Sequence, residues 1–150
     1  MEVVVRWGGL PAARSETTRG SEMLFVAETG SGHLMTMDGA PEGGGNDLAP
    51  RPMETLLAGT AGCSAYDVVL ILRRSRQDVR GCEVRVAGER ADADPRVFVS
   101  LAFHYIVRGR ALKASVVERA IKLSHDKYCS ATAMLAKTAT VAHSYEVIED

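Results

Sequence analysis

The residues best suited to chemistry in this chain are two cysteines far apart in sequence, Cys63 and Cys129. Taken singly, each reads as a packing residue, because free cysteine behaves as a small hydrophobe and is among the most buried residue types. As a pair they point to redox chemistry. A thiol that attacks a peroxide becomes a sulfenic acid, and a second thiol nearby closes it into a disulfide before irreversible over-oxidation. The third cysteine, Cys82, alternates in step with Val84 and Val86 and is expected to pack in the core with them.

The charges around a thiol decide whether it reacts. Cys63 falls near the middle of a helical stretch, beyond the reach of the helix dipole, and Asp67 stands four residues on, on the same face. An ionised carboxylate there opposes a second negative charge on the sulfur, so Cys63 needs a cation. Arg14 and Arg19 in the N-terminal segment are the candidates, with Arg19 ahead because it immediately precedes Gly20 and the next strand; Lys127, two residues before Cys129, is a third. Cys129 itself opens a short helix, where the dipole is expected to make it the more acidic thiol. Arg73, Arg74, Arg76 and Arg80 read as a solvated helix end. His125 invites a metal reading with the two cysteines, but three such ligands without a recognisable spacing fall short of a closed zinc site, so neither metal nor cofactor is expected. His104 and His143 fall in strands and read as structural.

The element that must position Cys63 is the stretch Pro52 to Gln77, PMETLLAGTAGCSAYDVVLILRRSRQ. Between Glu54 and Arg73 only Asp67 is charged, and a helix apolar nearly all round is expected to be buried. Pro52 suits the first helical position and the arginines suit the other end. Such a helix spans roughly 36 Å. A chain of this size has a radius of gyration of about 15 Å, so the helix crosses the whole body and needs cover from something else. Ala58, Gly59, Ala61, Gly62, Ser64 and Ala65 are small enough to let another backbone approach. A membrane span is disfavoured, because the charge-poor run is shorter than the roughly 20 residues a bilayer requires and contains Asp67.

Before that helix, Val3 to Trp7, Met23 to Thr29 and His33 to Met37 read as an antiparallel meander. Asp38 to Arg51 is a Gly/Pro/Ala-rich loop, of a length that is usually either disordered or part of a site. After it, Cys82 to Ala87 and Val97 to Val107 form a hairpin turning at Asp92 to Arg96, with Val97, Val99, Leu101, Phe103, Tyr105 and Val107 on one face. An amphipathic helix from Leu112, a break at Ser124 to Tyr128, a short helix from about Cys129 and a strand from Thr140 to Ile148 complete the chain. The order β-β-β-α-β-β-α-α-β defines an α+β fold in a single domain, 1–150.

With 150 residues and a net charge of −1, the chain is large enough for a real core and carries no basic footprint for nucleic acid. No signal peptide is visible, so the expected location is the cytosol, where thiols stay reduced.

Pro52, Leu56, Leu57, Ala61, Gly62 and Cys63 on a long apolar helix, a second cysteine in KYCSATAML and a closing strand TVAHSYEV together resemble the OsmC/Ohr family, the osmotically inducible and organic hydroperoxide resistance proteins, in a divergent branch. The resemblance runs over essentially the whole chain. It implies an intertwined homodimer in which sheets of both chains wrap the paired central helices. It also implies that Cys63 is peroxidatic and Cys129 resolving, that an arginine and a glutamate accompany Cys63, and that a dithiol donor, often a lipoylated protein, regenerates the enzyme. Met53 stands directly after Pro52, where those peroxidases carry the glutamate, and Glu54 follows one position later. Arg19 and Glu54 are therefore the candidates for the accompanying pair. Cys129 is followed by Ser130 instead of the proline common in the family.

The function expected from the resemblance is a thiol-dependent peroxidase acting on alkyl or fatty-acid hydroperoxides. The alternative is a small-molecule binding or redox-sensing dimer of the same fold, which Met53 and Asp67 favour. A cysteine hydrolase would need a histidine beside Cys63, and none has an evident reason to be there.

Overall fold

A computed structural model describes residues 1–7 and 22–150, which divide into two compact units, Met1–Leu56 and Leu57–Asp150. In the first, the valine-rich start forms β1 (Val3–Trp7), paired antiparallel with β2 (Phe25–Thr29), which pairs antiparallel with β3 (Leu34–Met37). Val5 stands opposite Ala27 and Ala27 opposite Met35, so the expected meander is present. Gly32 takes φ +81° between β2 and β3, a backbone conformation that costs glycine little.

The Gly-rich loop after β3 is organised by Asp38. Its side chain is fully buried, and its carboxylate accepts the backbone N–H of Gly39 at 2.8 Å and those of Asn46 and Leu48 at 3.1 Å each. Gly45 lies so close to Gly39 that an added Cβ would fall 1.8 Å from its carbonyl oxygen. Hydrogen bonds to one buried anion, with little apolar burial, shape this segment.

Helix α1 (Pro52–Arg74) begins with Pro52 at its first position, and the Glu54 carboxylate accepts the Arg51 N–H at 2.9 Å, the reach-back of a capping box. Its buried residues are Thr60, Ser64, Val68 and Leu72, one stripe at four-residue spacing. The expectation of a helix enclosed on all sides is not met by the described residues of one chain. Leu56 and Tyr66 are 42% and 69% exposed, and a Cβ added at Gly59 or Gly62 would meet nothing within 4 Å among the described residues. The described residues of one chain supply cover for one stripe only. By length and composition α1 is able to cross a bilayer, though its buried stripe is tied by hydrogen bonds to the rest of its unit.

In the second unit β4 (Asp78–Arg90) and β5 (Phe98–Arg110) form the long hairpin, and β6 (Thr140–Glu149) joins β5 in parallel. A parallel neighbour requires a crossover. That crossover is α2 (Ala114–Leu123), a π-helical turn at Ser124–Tyr128, and α3 (Ser130–Leu135). Leu101, Phe103, Tyr105 and Val107 of β5 alternate inward onto the same core as Val117, Ala120 and Ile121 of α2. Val97 and Val99, expected on that inner face, are exposed, and Phe98 is buried in their place. The register explains it: Glu89 pairs with Ser100 but Arg90 with Phe98, so one extra residue on β5 reverses the alternation. The element order is the α+β order read from the sequence.

Candidate functional site: a thiol pair beside a carboxylate

Cys63 and Asp67 stand one helical turn apart on α1, and Cys129 sits at the N-cap of α3. The two Sγ atoms and an Asp67 carboxylate oxygen all lie within 4.8 Å of one another. Cys129 is buried, and its sulfur accepts both the Thr132 hydroxyl at 3.1 Å and the Thr132 N–H at 3.4 Å. Burial first, and then the neighbouring Cys63, push the Cys129 thiol up, against the partial relief of the Thr132 hydrogen bonds. This corrects the expectation of a more acidic Cys129. The residue does cap its helix, but α3 has only 6 residues, and desolvation outweighs what the helix end offers.

Asp67 is the terminus of a buried polar chain. Ser124 Oγ donates to Asp67 Oδ2 at 3.1 Å; Ser124 Oγ and Ser64 Oγ are 2.8 Å apart, Ser64 Oγ and Tyr105 Oη 2.5 Å, and Tyr105 Oη and His125 Nε2 2.8 Å. A hydroxyl has one hydrogen to give. Because Ser124 spends its own on Asp67, Ser64 donates to Ser124, Tyr105 donates to Ser64, and His125 Nε2–H donates to Tyr105. Every bond points from the imidazole towards the carboxylate. The assignment makes His125 a neutral Nε2–H tautomer, in accord with its buried Nδ1, which has no hydrogen-bond partner among the described residues. Burial, reinforced by His143 stacked at 4.9 Å, holds His125 down to about 4, and burial also keeps Tyr105 protonated well above the usual phenol range.

The structure thus brings two of the expected site residues together, Cys63 and Cys129, with an Asp67 carboxylate oxygen within 4.8 Å of both sulfurs and with Thr132 and Ser124 in support. Glu54 directs its carboxylate to the helix start, and Arg14 and Arg19 lie outside the described residues. Lys127 places its ammonium 5.4 Å from the Tyr128 ring centroid. His125 belongs to the polar chain and is no part of the thiol cluster. Cys82, half-buried with a thiol pushed up by burial, lines a separate 570 Å³ groove between α1 and β4. Sequence reading missed Ser64, Tyr105, Ser124 and Thr132. The available signal was a serine on the inward stripe of an apolar helix and a tyrosine on the inward face of an apolar strand, each of which needs a buried partner.

A groove of 740 Å³ opens beside Asp67 between α1 and α2, walled also by Leu70, Ile71, Arg74, Val116, Arg119 and Leu123; neither site cysteine lines it. A thiol on a long helix close to a second thiol at the cap of a short one, in a chain that also builds a mixed three-stranded sheet, defines an α+β protein with a paired-cysteine site. The chain belongs to the OsmC-like family, whose sequence profile, described as OsmC-like protein, matches residues 43–144. It is 48% identical over 126 residues to protein YhfA of Escherichia coli K12, covering 84% of this chain and 91% of YhfA. Among solved structures, a hypothetical protein from Aquifex aeolicus VF5 superposes with a TM-score of 0.78 at 28% identity, over 99% of this chain and 96% of that one. An organic hydroperoxide resistance protein OsmC from Legionella pneumophila, described as a predicted redox protein, shares the fold with a TM-score of 0.65 at 15% identity, over 98% of each chain.

Proposed function

We propose that this protein is a thiol-dependent peroxidase that reduces organic hydroperoxides in oxidative-stress defence. The observation that carries the reading is the approach of Cys63 and Cys129 to within 4.8 Å at the sulfurs. In the first step the Cys63 thiol attacks the distal peroxide oxygen of ROOH: the O–O bond breaks, ROH leaves with the thiol proton, and Cys63 becomes a sulfenic acid. The Cys129 thiol then displaces water from that sulfenic acid to give the disulfide. A dithiol donor, for which a lipoylated protein is our choice, returns both sulfurs to thiols. Asp67, the carboxylate nearest both sulfurs, is the group through which thiol protons exchange. Arg19 is our choice for the cation that the resemblance implies, and Glu54 for its carboxylate companion. The 740 Å³ groove sets Leu70, Ile71, Val116 and Leu123 beside Arg74 and Arg119, a mixed wall that offers an alkyl or fatty-acyl hydroperoxide both apolar surface and cations.

The same proposal makes the protein a cytosolic homodimer in which the chain acts as one OsmC-like domain. It is supported by the open face of α1 at Gly59, Gly62 and Tyr66, and by the exposed Val3, Val5 and Trp7 of β1, apolar surface that a second copy would cover. A second reading, a redox-sensing or small-molecule binding dimer, is favoured by the raised Cys129 thiol and by the carboxylate beside the sulfurs.

Rapid mixing of the reduced protein with cumene hydroperoxide and with hydrogen peroxide, followed by intact mass, separates the two. The peroxidase reading expects fast loss of two hydrogens, faster with the organic peroxide, and a trapped sulfenic acid in Cys129→Ser only. Slow oxidation indifferent to Cys63→Ser and Cys129→Ser would leave the binding reading.

A further inference from the structure

We propose that in the reduced protein the cluster of Cys63, Asp67 and Cys129 binds one zinc ion through both thiolates and the Asp67 carboxylate. The three donor atoms already lie within 4.8 Å of one another, a spread that a small inward movement closes around a single ion. Two sulfurs and one carboxylate oxygen form a donor set for a borderline-soft divalent cation; magnesium and calcium demand oxygen throughout. Three protein ligands leave one position for solvent, which is the open form of a zinc site and distinguishes it from the closed structural form.

The groups behind the donors are also in place. Ser124 Oγ holds Asp67 Oδ2 at 3.1 Å and fixes the plane of the carboxylate. Thr132 gives two hydrogens to Cys129 Sγ, bonds that strengthen when the sulfur becomes a thiolate. Cys63 and Asp67 are one turn apart on a long helix and Cys129 is a helix cap, so all three ligands sit on regular elements. A dication also answers the electrostatic difficulty of the site: two thiolates and a carboxylate crowded in a half-buried space repel one another unless a positive ion lies between them. Binding releases the two thiol protons, Zn²⁺ + 2 RSH → Zn(SR)₂ + 2 H⁺.

Zinc and hydroperoxide then compete for the same sulfurs. Oxidation takes two electrons from the thiolates, forms the S–S bond and reduces ROOH with two protons to ROH and water, which leaves the ion without its sulfur ligands and frees it. This release rests on the peroxidase reading; zinc binding does not.

The test uses the full chain, stripped of metal and fully reduced under anaerobic conditions, with zinc sulfate as the probe. Native mass spectrometry is expected to show one zinc per chain with loss of two protons, and Co²⁺ in its place to give thiolate-to-cobalt charge-transfer absorption. Cys63→Ser and Cys129→Ser are expected to abolish that absorption, Asp67→Asn to weaken zinc at least about 10-fold, and Cys82→Ser and excess Mg²⁺ to change nothing. In wild-type protein, which avoids any folding defect of a variant, zinc is expected to slow alkylation of both site thiols at least 10-fold, a protection of about 1.4 kcal/mol. Zinc bound equally well by Asp67→Asn, lost in Cys82→Ser, or without effect on wild-type alkylation would overturn the assignment. Oxidation of the zinc-free protein by cumene hydroperoxide, read in parallel, shows whether the peroxidase reading stands or falls on its own.

Discussion

Two aspartates are held inside this protein, and their surroundings differ in kind. Asp38 is fully buried and its carboxylate accepts three backbone N–H groups, from Gly39, Asn46 and Leu48. Asp67 is half-buried and accepts one hydroxyl, from Ser124, while an oxygen of its carboxylate lies within 4.8 Å of two sulfurs. The first carboxylate is enclosed by fixed backbone donors of its own loop. The second retains acceptor capacity next to groups that gain and lose protons. A buried carboxylate is therefore read by what fills its lone pairs: backbone donors mark a structural anchor, and reactive neighbours mark a site.

The comparison is broken most directly at the sulfurs. Cys63→Ser removes the nucleophile assigned to the Asp67 region and is expected to lower hydroperoxide turnover at least about 1000-fold, the scale seen when an attacking group is deleted. Steady-state consumption of cumene hydroperoxide with a dithiol donor measures it. Turnover within a factor of a few of wild type would remove the site from the Asp67 side of the contrast.

Next in size is the structural anchor. Asp38→Ala leaves three buried N–H groups without their charged acceptor and is expected to cost about 3 kcal/mol. Urea unfolding gives the stability change, and amide hydrogen exchange at Asn46 and Leu48 should accelerate with it. Thiol reactivity at Cys63 and Cys129 is expected to stay unchanged, because Asp38 serves the loop.

The polar chain that ends on Asp67 offers a smaller test. Tyr105→Phe removes the hydroxyl that links Ser64 to His125 and is expected to cost about 1 to 2 kcal/mol, the penalty for orphaning buried partners. Acid acts on the same chain. His125 is held down to about 4 in the fold against 6.5 ordinarily, so between those values the unfolded chain binds more protons than the folded one. Its contribution to stability is complete above about pH 6.5 and declines as pH falls to about 4, by on the order of 1 to 2 kcal/mol once solvent screening of a half-buried ring is allowed for. A pH series of urea midpoints checks it, and His125→Gln is expected to flatten the slope.

Much of this was legible in the sequence, and the reason is local periodicity. The alternation in Val3 to Trp7, the stripe in α2 and the apolar run of α1 report their elements without reference to anything distant. Pro52 marks its helix start for the same local reason. What stayed hidden depends on partners remote in the chain. The displaced Val97 and Val99 follow from how Glu89 and Arg90 pair across the hairpin, which no single-strand pattern contains. Cys129 reads locally as a helix start with a favourable dipole, but its acidity is set by burial under tertiary packing. Asp67 reads from the sequence as a neighbour of Cys63 on one helix face; its link through Ser124 and Ser64 to Tyr105 and His125 joins α1, the π-helical turn and β5, and only the fold assembles it.

The finest test exchanges the charge of Asp67 while keeping its shape. Asp67→Asn retains an oxygen for the Ser124 hydroxyl, so stability is expected to change by less than about 1 kcal/mol, in contrast to the loss at Asp38. The negative charge beside the sulfurs disappears, and with it part of the penalty for forming a thiolate there. Alkylation of the reduced, metal-free protein by iodoacetamide at neutral pH is therefore expected to speed up by about 2- to 5-fold. Asp38→Asn is expected to leave the alkylation rate where it was. Equal alkylation rates in both variants and wild type would mean that the carboxylate of Asp67 does not act on the thiols, and the distinction between the two aspartates would then be one of burial alone.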